Sequence, residues 1–160
     1  MKYLPLPSQE KLNSLFTYSV VTGELKHITR SKTGTKHHTG YTHIKVDGTI
    51  YLAHRLIWRL VTGEDPGPLQ VDHKDHDKTN NSWHNLRLAT RSQNQCNRPK
   101  SALNSSGYKG VSYCKHTQKY LCQTITDGFK VASYHETAEL AHAAYCKAAA
   151  EFHGEFARTQ

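Results

Sequence analysis

LQVDHKDHDKTNNSWHNLRLATRSQNQCNR, residues 69–98, decides how this chain is read. It opens on a short alternating stretch, LQVDH, which predicts a strand. Residues 74–84 follow, too rich in Asp, Asn and His for regular structure. LRLAT alternates again and predicts a second strand. Ser92 then suits the cap of a short helix, SQNQCN, with Asn94 in its first turn. Folded as a hairpin with a helix across it, this segment is expected to gather Asp72, His73, Asn85 and Asn94 around one small volume.

Those four side chains suit one chemistry. A hard divalent cation takes oxygen ligands, and the Asp72 carboxylate with the Asn94 side-chain oxygen supplies two while leaving water positions open. His73, beside the metal but not on it, titrates near operating pH and would take a proton from a water attacking phosphorus. The metal would stabilise charge on the phosphate and on the departing 3′ oxygen. Asn85 is expected to hydrogen-bond across the loop and hold His73 in line. Blander readings stand beside these. An isolated Asp-His is more often a turn pair, and Asn80 and Asn81 read as loop formers that bond their own backbone. A zinc site joining His76 and His84 to His73 and Asp72 is conceivable, although no thiolate has suitable spacing. Trp83 reads as a packing residue under the loop. His54 reads as structural, with reach to a phosphate as its other use.

Upstream, HRLIWRLVTG carries Leu56, Ile57, Leu60 and Val61 at helical spacing, with Gly63 placed as a C-terminal stop. Before it, THIKV and TIYLA flank Asp47-Gly48, a pair that predicts a type I′ hairpin. PSQEKLNSLF, residues 7–16, reads as a short amphipathic helix started by Pro7 and Ser8. The stretch around LKHITR, punctuated by Gly23 and Gly34, reads as polar and loop-rich. Lys45, Arg55 and Arg59 are candidate phosphate contacts on the hairpin and helix of 41–62.

Downstream, 99–106 has the Pro, Ser and Asn content of a linker. Three strands are legible at 108–113, 119–126 and 129–134, the last two joined by Asp127-Gly128. An alanine-rich helix near 137–151 closes the chain, with Leu140, Ala141, Ala144, Ala148 and Phe152 as its expected apolar stripe. The fold class is therefore α+β: a ββα motif with an N-terminal hairpin and helix, then a small three-stranded antiparallel sheet packed on one helix.

Length and charge agree with two small modules. The chain has 160 residues, 36% hydrophobic, and a net charge of +8; its mean hydropathy is -0.72. No apolar run approaches the roughly 18–20 residues of a spanning helix, and MKYLPLPSQEKL lacks an apolar stretch of signal-peptide length, so no membrane and a cytoplasmic location are expected. Residues 78–126 hold no acid, yet carry Lys78, Arg87, Arg91, Arg98, Lys100, Lys109, Lys115 and Lys119. Such a segment suits a polyanion, nucleic acid first among them, with a solvated basic face as the plain alternative. Cys96, Cys114, Cys122 and Cys146 form no CxxC pair and read as free thiols.

The run of Asp-His, Asn-Asn, Asn-Leu-Arg and Ser-x-Asn in 69–98 resembles the His-Asn-His (HNH) ββα-metal nucleases, in the branch whose third position is Asn; phage-type homing endonucleases belong there. HRLIWRL extends the likeness to about 54–98. The resemblance implies Mg²⁺ or Mn²⁺ on Asp72 and Asn94, His73 as general base, Asn85 orienting it, and hydrolysis of phosphodiesters in double-stranded DNA, often with nicking of one strand. It also implies the host-cell cytoplasm if the chain is phage-encoded.

GYKGV at 107–111, the three-strands-then-helix order, Ala143-Ala144-Tyr145 and His153-Gly154-Glu155 resemble the plant ethylene-response-factor (Apetala-two) DNA-binding domain. That family lays its sheet in the major groove. Where its members carry Trp and Arg on the second strand, this chain has Tyr120, Leu121 and Gln123, so the expectation is contact mainly through backbone phosphates or a drifted specificity. The resulting expectations are a nuclease domain over 1–98, a basic linker over 99–106 and a DNA-binding domain over 107–160. Arg91, Arg98, Lys100, Lys109, Lys115, Lys119 and Lys130 are the candidate DNA contacts. A monomer is the expected state. A rival reading is a non-catalytic, sequence-specific DNA-binding regulator on a degenerate nuclease fold.

Overall fold

The computed structural model describes residues 4–126 and 129–159. The expected Asp127-Gly128 turn lies outside them. The chain divides into two compact units, one up to Thr90 and one from Arg91 onward.

In the first unit, α1 (Gln9–Leu15) starts where Ser8 accepts from the Lys11 amide at 3.2 Å. The next two strands, β1 (Phe16–Tyr18) and β2 (Leu25–His27), form an antiparallel pair in the stretch read as loop. Strands β3 (Thr35–Lys36), β4 (Thr42–Val46) and β5 (Thr49–Leu52) make an antiparallel sheet in that order. Asp47 and Gly48 turn β4 into β5 with φ of 48° and 84°, the pair of positive angles a type I′ turn requires. Helix α2 (Ala53–Thr62) follows at once and stops at Gly63, whose φ of 75° lets its amide reach the Arg59 carbonyl.

Helix α2 works as a wedge. Leu56 packs with Leu12, Phe16, Ile44, Val46 and Ala53, while its neighbour Ile57 packs with Val71 and Leu86. Adjacent helical residues point about 100° apart, so one helix fills two clusters. The second cluster underlies β6 (Gln70–His73) and β7 (Leu86–Ala89), an antiparallel pair with a one-turn 3-10 helix (Trp83–Asn85) leading into β7.

The second unit starts with α3 (Arg91–Cys96). Ser92 is the second residue of α3 and not its cap, because the helix already starts at Arg91. Residues 99–106 are tied into this unit: the Asn104 side-chain amide donates to the Tyr108 carbonyl, Ser106 Oγ to the Val111 carbonyl, and Lys100 Nζ to the Gly107 carbonyl. Strands β8 (Val111–Cys114), β9 (Lys119–Thr126) and β10 (Phe129–His135) form an antiparallel sheet with β9 central. Helix α4 (Ala138–His153), capped by Thr137, covers it, giving the expected sheet-on-helix layer.

The apolar stripe of α4 differs from expectation. Ala138, Ala141, Tyr145 and Ala149 are buried, whereas Leu140 and Phe152 are 55% and 41% exposed. Small residues let the helix lie close to the sheet. Gly110 completes the fit, because a Cβ there would sit 2.1 Å from the Tyr145 ring.

Candidate active site

Strand β6 ends on Asp72 and His73, and both side chains are buried. The antiparallel register sets Asp72 opposite Arg87 and His73 opposite Leu86. Successive strand residues face opposite sides, so Asp72 shares a face with Arg87, and His73 one with Val71 and Leu86. Arg87 Nε donates to Asp72 Oδ2 at 3.1 Å, a buried ion pair. Arg87 was counted among the cations awaiting a polyanion; its charge is answered inside the fold.

The His73 imidazole is surrounded by aromatic groups and one amide. His54, at the start of α2, meets it edge-on with ring centroids 5.0 Å apart, and the Tyr41 ring lies 5.1 Å from His54 and 6.1 Å from His73. His73 Nε2 contacts Asn81 Oδ1 at 3.0 Å. Asn81 Nδ2 points to the Thr79 carbonyl, a pure acceptor, which sets the amide with its oxygen toward His73. Nε2 is then the protonated nitrogen, and the basic lone pair is on Nδ1. Asn81, read from sequence as a loop former, is thus the hydrogen-bond partner of His73.

Two further elements hold Asn81. The Tyr18 hydroxyl donates to its carbonyl at 2.8 Å, and burial pushes that phenol up to about 12, keeping it a donor. Gly23 packs so closely that a Cβ would lie 2.2 Å from the Ser82 nitrogen, and the Trp83 amide donates to the Val20 carbonyl. The β1–β2 hairpin is therefore the prop beneath the loop. The cue in the sequence was Gly23, which has a φ of 74°.

Asn85 does bond across the loop. Its Nδ2 donates to Asp75 Oδ1 and to the Asn80 carbonyl, both at 2.8 Å, and its Oδ1 accepts from the Asp75 amide. Asp75 also accepts from Asn80 Nδ2 at 2.6 Å. Burial would raise the Asp75 carboxyl, but the bonds from Asn80, Asn85 and the Asp77 amide outweigh it and hold it below the usual carboxylate range. Asn85 and Asp75 thus staple the loop, while the imidazole contact belongs to Asn81.

His54 is deeply buried; desolvation first, then the His73 and Arg55 charges, push its imidazole down to about 3. It is neutral at any ordinary pH. Arg55 and Arg59, expected on phosphates, bond within the fold: Arg55 to the Leu69 and Gly67 carbonyls, and Arg59 to the Gly63 carbonyl at 2.6 Å. Lys78 is bound to the Thr39 carbonyl with its ammonium 4.8 Å over the Tyr41 ring. Among the described residues, no three His, Cys, Asp or Glu side chains cluster to hold a metal, so the zinc arrangement has no basis. Asn94 lies on α3, in the second unit.

Of the cations expected on DNA in the second unit, Arg91, Arg98, Lys100, Lys115 and Lys130 are exposed. Lys109 is half-buried; its ammonium donates to the Cys96 carbonyl at 2.5 Å, and desolvation lowers its pKa. Lys119 pairs with Glu136 at 2.6 Å. The register puts Leu121, Gln123, Ile125, Ala132 and Tyr134 on the sheet face turned from α4, beside Lys119 and Lys130. That face is more neutral than the sequence suggested.

A family model described as HNH endonuclease matches residues 51–96. The uncharacterized HNH endonuclease L560 of Acanthamoeba polyphaga mimivirus is 38% identical over 105 residues, 65% of this chain, which spans only 54% of that relative's length. Protein 3.8 of Escherichia phage T7 is 31% identical over 106 residues, 66% of this chain and 87% of its own. A solved structure of DNA binding and cleavage by the HNH homing endonuclease I-HmuI aligns over 96% of this chain and 91% of that one, at 24% identity and a TM-score of 0.45, too loose a superposition to carry argument. Residues 51–96 are thus similar to an HNH endonuclease domain. No helix among the described residues is long and apolar enough to cross a membrane.

Proposed function

We propose that this chain is a metal-dependent endonuclease that hydrolyses phosphodiester bonds in double-stranded DNA, with nicking of one strand as one outcome. The observation that carries this reading is the hydrogen bond from His73 Nε2 to Asn81 Oδ1, which orients the ring and reserves Nδ1 for a proton. In this reading His73 takes the proton of the attacking water as a neutral base. Asn81 keeps the tautomer, Tyr18 and the β1–β2 turn keep Asn81, and Asn85 with Asp75 keeps the loop closed.

The Asp72 carboxylate and the Asn94 carboxamide are hard oxygen donors and fit Mg²⁺ or Mn²⁺ in kind. When bound, such an ion supplies charge stabilisation at the phosphate and the departing oxygen. The second unit, with Arg91, Arg98, Lys100, Lys115 and Lys130 exposed, is read as the module that grips DNA in the manner of ethylene-response-factor domains, through backbone phosphates.

A second reading, a non-catalytic DNA-binding regulator, has its own support. Asp72, His73 and Asn85 are each less than a tenth exposed, and Arg87 already occupies the Asp72 carboxylate. Supercoiled plasmid incubated with the chain in Mg²⁺ or in EDTA separates the two. Nicking in Mg²⁺ alone, abolished in His73→Ala with DNA affinity unchanged, is the expected result. No nicking in either buffer, or equal nicking by the variant, overturns the hydrolase or its base.

A further inference from the structure

Alternation along β4 sends Ile44 and Val46 into the core and His43 and Lys45 to the outer face of the β3–β4–β5 sheet. Thr35 lies opposite His43 and Ile50 opposite Lys45, so both share that face. Residues 30–34 fold over it as a wall. Gly34 permits the approach, since a Cβ there would lie 2.8 Å from the His43 carbonyl. The result is a cavity of about 460 Å³ whose charged lining is Arg30, Lys32, Lys36, His37, His43 and Lys45.

Among the described residues, no carboxylate lines it. Arg30, Lys32, Lys36 and Lys45 are exposed. His37 stacks on His43 with ring centroids 4.3 Å apart and lies 3.9 Å from His38. Desolvation, then the neighbouring His38 and His43, hold His37 below its usual value. From another element, Asp77 of the 74–82 loop bears on this patch, since its carboxylate feels both Lys36 and His73. Through Asp77 the patch adjoins the loop that carries the candidate active site.

We propose that this walled outer face of the N-terminal sheet is a phosphate seat for duplex DNA beyond the cleaved bond, one that tightens as His37 takes up a proton. The inference rests on DNA being the substrate, and extends it to a surface outside the 69–98 motif. Each lysine or arginine on a backbone phosphate releases counterions and steepens the fall of affinity with salt by about 0.9 in log units. A phosphate beside His37 stabilises its charged form, so binding takes up a proton and strengthens as pH falls.

The test measures anisotropy of a labelled mixed-sequence duplex with the full chain in EDTA, across salt and at pH 8 and pH 6. Lys36→Gln with Lys45→Gln is expected to lower the salt slope by about 2. His37→Asn with His43→Asn is expected to bind as the parent does at pH 8 but to lose most of the tightening at pH 6. Arg30→Gln with Lys32→Gln repeats the slope measurement on the wall, should the first pair disturb the sheet. An unchanged slope in both lysine and arginine variants, or full tightening in the histidine variant, overturns the proposal. Because EDTA removes cleavage from the readout, a chain that binds this way yet never nicks plasmid would sink the nuclease reading and leave the seat standing.

Discussion

The ring of His73 has its Nε2 committed to Asn81, so in the proposed reaction the quality of the base depends on an amide eight positions away in a polar loop. Asn81→Ala removes that acceptor while leaving Nδ1 and the strand in place. A hydrogen bond of this kind contributes about 1 kcal/mol, so cleavage should fall roughly five- to tenfold with DNA affinity unchanged, measured as single-turnover nicking beside binding in EDTA. An undiminished rate would release Asn81 from the positioning role. His54 supplies a pH test. Its folded-state value, about 3, is below the ordinary 6.5, so the unfolded chain binds a proton that the folded chain refuses. The associated stability is complete above 6.5 and drains as pH falls from there toward 3. The urea midpoint should therefore drop between pH 7 and pH 5, and the drop should shrink in His54→Asn. An equal drop in the variant would place the acid sensitivity elsewhere.

Elements with a strict period were legible before any coordinates. The Asp47-Gly48 hairpin, α2 with its glycine stop, and the β6 and β7 strands follow from alternation, helical spacing and turn chemistry, all local properties. The β1–β2 pair was not legible, because three-residue strands in polar surroundings have too few positions to show a period. Its importance comes from contacts more than fifty residues along the chain, from Tyr18 to Asn81 and Val20 to Trp83, which no window contains. Helix α4 misled in another way: alanines on most faces blur the stripe, and Tyr145, not Leu140 or Phe152, is the large anchor. Its seat depends on Gly110, with a φ of 72° and the tyrosine ring where a Cβ would be. Gly110→Ala combines a left-handed backbone with overpacking and should cost about 3 kcal/mol or more, read as a lower thermal midpoint of the second unit's sheet signal. A midpoint within a degree of the parent would show that α4 can back away at little cost.

At the scale of the whole molecule, the acid-free run from 78 to 126 was visible as charge but not as availability. Composition counts Arg87 and Lys109 equally with Arg91 and Lys115, while the fold uses Arg87 on Asp72 and Lys109 on the Cys96 carbonyl. Only burial and partners separate structural cations from those left for a polyanion. Replacing Arg91, Arg98, Lys115 and Lys130 by Gln should lower the salt slope of duplex binding by about 3–4. Lys109→Gln should leave the slope alone and lower stability. A reversed pattern, with the larger slope change at Lys109, would mean that the surface has been read inside out.

The cross-strand pairing of Asp72 with Arg87 bears on how an inert form might be prepared for trapping uncut substrate. Neutralising the acid breaks the buried ion pair that Asp72 makes with Arg87, and breaking such a pair is costly. Such a protein would be fragile as well as silent, and its silence would teach little. Trimming the imidazole next door removes the proposed base and leaves that ion pair intact, which makes position 73 the cleaner handle for freezing the proposed reaction before it starts.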